Sequence, residues 1–149
     1  LSPRQTLIEG YASLWWITDL NKDQVAAGAF TRSLAHRPAD AIRMLSQHAQ
    51  SPVIGVWDTV FEDPRGLFVR GRIISDNSSA ILTAGRVRAG LMDGLSIGFR
   101  TLKSRPDGTG RLRILTEIEL WEISIVSFPM LPEARLRVVQ QDRTTSLAA

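Results

Sequence analysis

Strand-like patterns of apolar and polar residues outnumber helical ones along this chain. Leu7 to Trp16 is the first predicted strand, with Ile8, Ala12, Leu14 and Trp16 among its apolar residues. The polar run Thr18-Asp19-Leu20-Asn21-Lys22-Asp23 reads as a turn. Gly28-Ala29-Phe30 leads into a short helix, with Phe30 and Leu34 four apart and Arg37-Pro38 as its stop. Ala41 to His48 is the next strand, and alternation puts Ile42, Met44, Ser46 and His48 on one face. Val53 to Phe61 and Leu67 to Ile74 form a hairpin about Asp63-Pro64-Arg65-Gly66, whose residue types fit a type I turn. Asp76 or Asn77 caps a helix over about Ser78 to Ala89, with Ala80, Ile81, Ala84, Val87 and Leu91 as its apolar stripe and Gly90 as its end. A strand through Ser96 runs to about Lys103. Pro106-Asp107-Gly108-Thr109-Gly110 turns it into a long strand, Arg111 to Phe128, with room for a bulge; Pro129 and Pro132 end that strand. Gln140 to Ala149 is small and polar and reads as a disordered tail.

The pattern predicts a mainly β (α+β) domain of about seven strands and two helices. Neighbouring strands are joined by hairpins, so the sheet is expected to be mostly antiparallel, as a small β-barrel or folded sheet with helices packed outside.

Composition narrows the chemistry. A length of 149 residues fits one domain with a core, and 44% apolar and 22% charged residues are ordinary for a globular protein. No apolar run reaches the roughly 20 residues of a membrane helix, and Leu1-Ser2-Pro3-Arg4 lacks a secretory-signal pattern. Cysteine is absent, which removes disulfides and thiol nucleophiles; with only His36 and His48, no metal or other cofactor is expected. The net charge of +3 comes from scattered Arg residues with no basic run interleaved with aromatics, which argues against dedicated nucleic-acid binding.

Candidate chemistry centres on Gly94-Leu95-Ser96-Ile97-Gly98-Phe99. The G-x-S-x-G pattern also occurs at the nucleophile elbow of α/β-hydrolases, but an elbow needs a helix after the Ser and a His downstream. Here the strand continues, and both histidines precede Ser96. Ser96 is a candidate nucleophile; the plainer alternative is a strand Ser bonded to a backbone carbonyl. Its flanking glycines suggest clearance for a substrate backbone. His48 is the candidate base and His36 reads as solvated. An orienting carboxylate has three candidates on the last long strand: Glu117, Glu119 and Glu122. Strict alternation places Glu122 with Leu112, Ile114, Ile118, Leu120, Val126 and Phe128. A carboxylate there needs a partner, either an imidazolium or an Arg such as Arg70, Arg72 or Arg100. A bulge between Glu119 and Glu122 would reverse that placement. Arg100 shares the Ser96 face and reads as half of a rim salt bridge.

Seven ordered segments then match a known family. They are Gly10-Tyr11-Ala12-Ser13, Gly28-Ala29-Phe30, Leu45-Ser46-Gln47-His48, Ile54-Gly55-Val56-Trp57, Gly66-Leu67, Leu91 to Phe99, and Glu119 to Pro129. Together they resemble the prohead (procapsid) maturation serine proteases of tailed phages and phage-like particles, over about residues 7–139. The resemblance implies a herpesvirus-protease-like fold, with residues 1–139 as the protease domain, and a serine endopeptidase with a Ser-His-Glu type triad: His48 matches the family's His, Ser96 its nucleophile, and the acidic member falls in the Glu119–Glu122 region, where Glu122 is chosen over Glu119. It implies major capsid protein and scaffold segments as peptide substrates, self-cleavage, and action inside the procapsid in the bacterial host cytoplasm. It is compatible with a homodimer and involves no membrane. The family's Ala-Asn-Pro run after the last strand is replaced by Met130-Leu131-Pro132. The competing expectation is a non-enzymatic scaffold module that docks a sheet edge on shell protein.

Overall fold

Local turn chemistry fixes the central hairpin. The Asp63 carboxylate accepts the N–H groups of Arg65 and Gly66 at 2.8 and 3.0 Å, and the Asp63 N–H donates to the Gly66 carbonyl at 2.9 Å. Strands β4 (Gly55–Glu62) and β5 (Gly66–Ile74) leave this turn as an antiparallel pair. In the computed structural model, which describes residues 3–139, this hairpin lies at the centre of a single mixed sheet. The expected tail, residues 140–149, lies outside the described residues.

The remaining strands are β1 (Gln5–Leu14), β2 (Asp23–Val25), β3 (Arg43–Ser46), β6 (Gly94–Pro106), β7 (Arg113–Val126) and β8 (Leu136–Val138). Five ladders are antiparallel, β1–β5, β1–β8, β3–β4, β4–β5 and β6–β7. Two are parallel, because β2 and β3 both run alongside β7 in its own direction, one at each end of it. Hairpin reasoning speaks only for neighbours in sequence, and these two strands meet β7 across long separations. Between β8 and β6 only an isolated bridge, Gly94 to Arg135, links the sheet edges. The chain is thus mostly β with two helices, but the sheet is mixed and is not closed by a continuous ladder. The short strands β2 and β8 had no counterpart in the pattern of the sequence.

Helix α1 (Thr31–His36) is short and ends at Arg37-Pro38, as its sequence indicates. Helix α2 (Ser78–Arg88) is capped by Asn77, whose side chain accepts the Ala80 N–H at 2.9 Å. It buries Ala80, Thr83, Ala84 and Val87. Ile81 and Leu91, expected in that stripe, are exposed. The buried face is a narrow stripe at spacings of three and four, and Leu91 lies beyond Gly90, where a positive φ of 74° turns the chain away. The core gathers Ile8, Phe30, Met44, Trp57, Leu95 and Ile118 with their neighbours, all fully enclosed. No helix among the described residues is long and apolar enough to cross a membrane.

Candidate active site

The site is assembled where β6 and β7 run side by side. Leu95 is core, and Ile97 and Phe99 pack against the core from the same face of β6. Ser96, Gly98 and Arg100 therefore share the opposite face. Across the ladder their partners are Ser124, Glu122 and Glu119. The first of three register shifts along this ladder falls between Gly98 and Phe99, where β7 carries Trp121 as an extra residue. This bulge reverses the parity of β7: Ile118 and Leu120 are core before it, and Ile123 and Ile125 are core after it. Glu122 thus does not share the face of Ile118 and Leu120, as unbroken alternation required. It lies on the Ser96 face, and it is nonetheless only 7% exposed at its side chain.

That burial has a local cause. A Cβ on Gly98 would sit 2.3 Å from Glu122 Cγ and 2.6 Å from its Cδ. The Glu122 side chain crosses directly over Gly98, so only a glycine fits beneath it. At Gly94 the space is taken by the Val126 carbonyl and the Pro129 ring. The flanking glycines make room for neighbours within the chain, not for a substrate backbone as the sequence suggested.

His48 comes from the turn after β3. That strand stops at Ser46, so His48 is not on an alternating strand face. Gln47 and His48 both adopt left-handed backbone, with φ of 53° and 60°, a conformation that costs about 1–2 kcal/mol for each non-glycine residue. Several contacts hold it. The Gln47 side chain donates to Ser127 Oγ at 2.8 Å and accepts the Ser127 N–H at 3.1 Å. The His48 N–H donates to Ser124 Oγ at 3.2 Å. The turn aims the imidazole at β7, where Nδ1 lies 2.5 Å from Glu122 Oε1. With an ionised carboxylate as acceptor, Nδ1 carries the proton and Nε2 is left as the free basic nitrogen.

Glu122 is held from three sides. Oε1 also accepts the Ser124 hydroxyl at 2.7 Å, and Oε2 accepts from Gln50 Nε2 at 3.4 Å. Gln50 bonds the His48 carbonyl as well, at 3.3 Å. Ser124, fully buried, thus ties the His48 backbone, the Glu122 carboxylate and the strand opposite Ser96 together. Neither Ser124 nor Gln50 emerged as a candidate from the sequence. Ser124 carried a usable signal, since it lies two residues from Glu122 on the same face; Gln50, in an irregular turn, carried none.

Ser96 is 7% exposed and lines a cavity that His48 also lines. No hydrogen bond joins the two among the described residues. On its other flank His48 borders a second, more open depression with Arg37, Arg43, Gln50, Trp121 and Glu122.

The other candidates go elsewhere. Glu119 bonds Arg100 at 2.9 Å and the Trp121 indole N–H at 3.0 Å, with Arg37 at 3.8 Å. The indole bond, then Arg100 and Arg37, hold its carboxyl below the ordinary glutamate range. Glu117 faces Arg32 at 3.5 Å and Lys103 at 3.9 Å. Arg70 and Arg72 pair with Glu9 and Asp58, so no Arg is available to Glu122 from the expected set. His36 is exposed at the end of α1.

Sequence comparison identifies the family. Residues 2–147 match the family described as Caudovirus prohead serine protease. The chain belongs to that family. Within it, the prohead protease of Enterobacteria phage HK97 is 30% identical over 138 residues; these are 92% of this chain and 61% of the relative. The chain therefore spans about three fifths of that prohead protease. Among solved structures, the Kaposi's sarcoma-associated herpesvirus (KSHV) protease in complex with a hexapeptide phosphonate inhibitor superposes with a TM-score of 0.62 at 12% identity, covering 93% of this chain and 66% of that one. The bacteriophage T4 capsid assembly protease gives 0.62 at 16% identity, covering 85% and 88%. The varicella-zoster virus protease gives 0.59 at 14%, covering 93% and 65%. These prohead and herpesvirus proteases share the fold with this chain. Met130 and Leu131, which stand in place of the family's Ala-Asn, line the Ser96 cavity.

Proposed function

We propose that this chain is a serine endopeptidase of phage head maturation, which cleaves scaffold or capsid propeptide segments, and itself, inside the immature capsid. The observation that carries the reading is an imidazole fixed by a buried carboxylate on the wall of the cavity that Ser96 shares, in a member of the prohead protease family. Ser96 is the nucleophile, His48 the general base and acid, and Glu122 the orienting carboxylate.

In the first step His48 Nε2 takes the Ser96 hydroxyl proton as the oxygen bonds the peptide carbonyl carbon. The carbonyl π pair moves onto its oxygen. Collapse of this tetrahedral species breaks the C–N bond, and the proton on His48 passes to the leaving amine. Water then attacks the acyl-enzyme with His48 again as base, and Ser96 recovers its proton. Each turn of the cycle places a positive charge on His48 beside Glu122. The bonds from Ser124 and Gln50 keep the carboxylate in place, so little reorganisation accompanies that charge.

Incubation of the particle's capsid and scaffold proteins with wild type and with Ser96→Ala tests the reading. Cleavage by the wild type alone is expected. Equal cleavage by both removes Ser96 from the mechanism, and cleavage by neither favours a non-enzymatic scaffold module.

A further inference from the structure

The cavity beside Ser96 has a feature that hydrolysis itself does not use. Its walls are apolar, formed by Leu14, Val25, Leu95, Ile97 and Leu115, yet Asp19 also lines it. Asp19 belongs to the turn between β1 and β2. Its Oδ1 accepts the N–H groups of Asn21 and Asp23 at 2.8 and 2.9 Å, which fixes the carboxylate. No Arg or Lys pairs with it among the described residues. The other carboxylate on the wall, Asp23, is fully engaged, with Arg113 donating to both oxygens at 2.9 Å. Asp19 is thus the cavity carboxylate with no ion pair of its own among the described residues; Arg113, bound to Asp23, acts on it only from beyond ion-pair distance.

Resting on the protease reading above, we infer that this cavity receives a Lys or Arg side chain of the substrate, from a residue flanking the scissile bond, with Asp19 binding its cationic head. An extended substrate attacked by Ser96 has a flanking side chain within one residue of the reacting carbonyl, and Ser96 lines this cavity. A long basic side chain matches both parts of the lining: its methylene stem packs on the aliphatic walls and its head reaches the carboxylate. A purely apolar side chain would bury the Asp19 charge without compensation, and an acidic one would meet like charge. Burial already pushes the Asp19 carboxyl above its ordinary value, with Asp23 adding to that push; a bound cation relieves the same penalty.

The test uses two phosphonates that label an activated serine and differ only in side chain, one lysine-like and one norleucine-like. Both are applied to the wild-type chain and to Asp19→Asn. Asn keeps the acceptor oxygen for the Asn21 and Asp23 N–H groups and removes the charge, and a melting curve checks that the fold is retained. The lysine-like probe is expected to label the wild type roughly tenfold faster. Asp19→Asn is expected to close that gap by slowing the lysine-like probe and raising the norleucine-like rate, because no carboxylate charge is then buried. Equal rates in the wild type, or a gap that survives in Asp19→Asn, overturns the inference while leaving the protease reading intact. Failure of both probes to label the wild type overturns the protease reading and this inference with it.

Discussion

Two buried glutamates, Glu9 on β1 and Glu122 on β7, have nearly the same exposure, 9% and 7% at the side chain, and opposite surroundings. Glu9 is gripped by two guanidinium groups, Arg70 at 2.8 Å and Arg137 on the other oxygen. Burial opposes its charge, but the bonds from Arg137 and Arg70 outweigh this and hold its carboxyl below the ordinary value. Its charge is neutralised permanently. No Arg or Lys pairs with Glu122 among the described residues; its partners are an imidazole, a hydroxyl and an amide. A buried carboxylate without an ion pair favours a positive charge arriving on the imidazole, which the proposed abstraction of the Ser96 proton would produce. The first arrangement stabilises a fold, whereas the second, on the proposed mechanism, keeps an electrostatic interaction in reserve for a reaction step.

Substitution separates the two sites most sharply at the base. His48→Ala is expected to lower peptide cleavage by about 10⁴-fold or more with melting temperature nearly unchanged, as rates and melting curves on the same preparation will show. Glu122→Gln keeps the shape of the side chain and removes its charge; a loss of about 10²- to 10⁴-fold in kcat is expected. A Gly98→Ala methyl would displace the Glu122 side chain, so kcat is expected to fall by roughly 10- to 100-fold while the β6–β7 hairpin persists. Ser124→Ala removes one bond to Oε1, and a smaller loss, about 3- to 30-fold, is expected.

Glu9→Gln completes the contrast, with no change in kcat expected and a stability loss of about 1–2 kcal/mol by denaturant titration. Its pH signature follows from linkage. A folded-state pKa below the ordinary 4.5 means that Glu9 contributes its stability fully above that value and loses it as pH falls through the lowered folded value. The stability difference between wild type and Glu9→Gln is therefore expected to shrink below about pH 4.5. A difference that stays constant to low pH would remove the charge-pair account of Glu9.

Much of this was legible in the residues, for uneven reasons. The Asp63-Pro64-Arg65-Gly66 turn, the Asn77 cap and the Gly90 stop are written in local chemistry, and the structure contains each of them. The three-residue strands β2 and β8 exist only through partners far away in sequence, so no local pattern marked them. Glu122 was reached by strict alternation, which placed it on an apolar face. The structure puts it near His48 through the Trp121 bulge that inverts this alternation. Its burial comes from the missing Cβ at Gly98, a cross-strand relation that a one-dimensional pattern does not encode. His48 reaches the site from a left-handed turn and not from a strand face. Family resemblance pointed to His48 and narrowed the carboxylate to the Glu119–Glu122 region, where periodicity alone could do neither.

The most direct measurement is the rate at which a serine-directed phosphonate forms a covalent adduct, located by peptide mass spectrometry, across four chains: wild type, His48→Ala, Glu122→Gln and Glu9→Gln. The adduct is expected on Ser96, at equal rates in wild type and Glu9→Gln, slowed in Glu122→Gln and abolished in His48→Ala. An adduct on another residue, or labelling of Ser96 that is indifferent to His48 and Glu122, would contradict the role assigned to this pair.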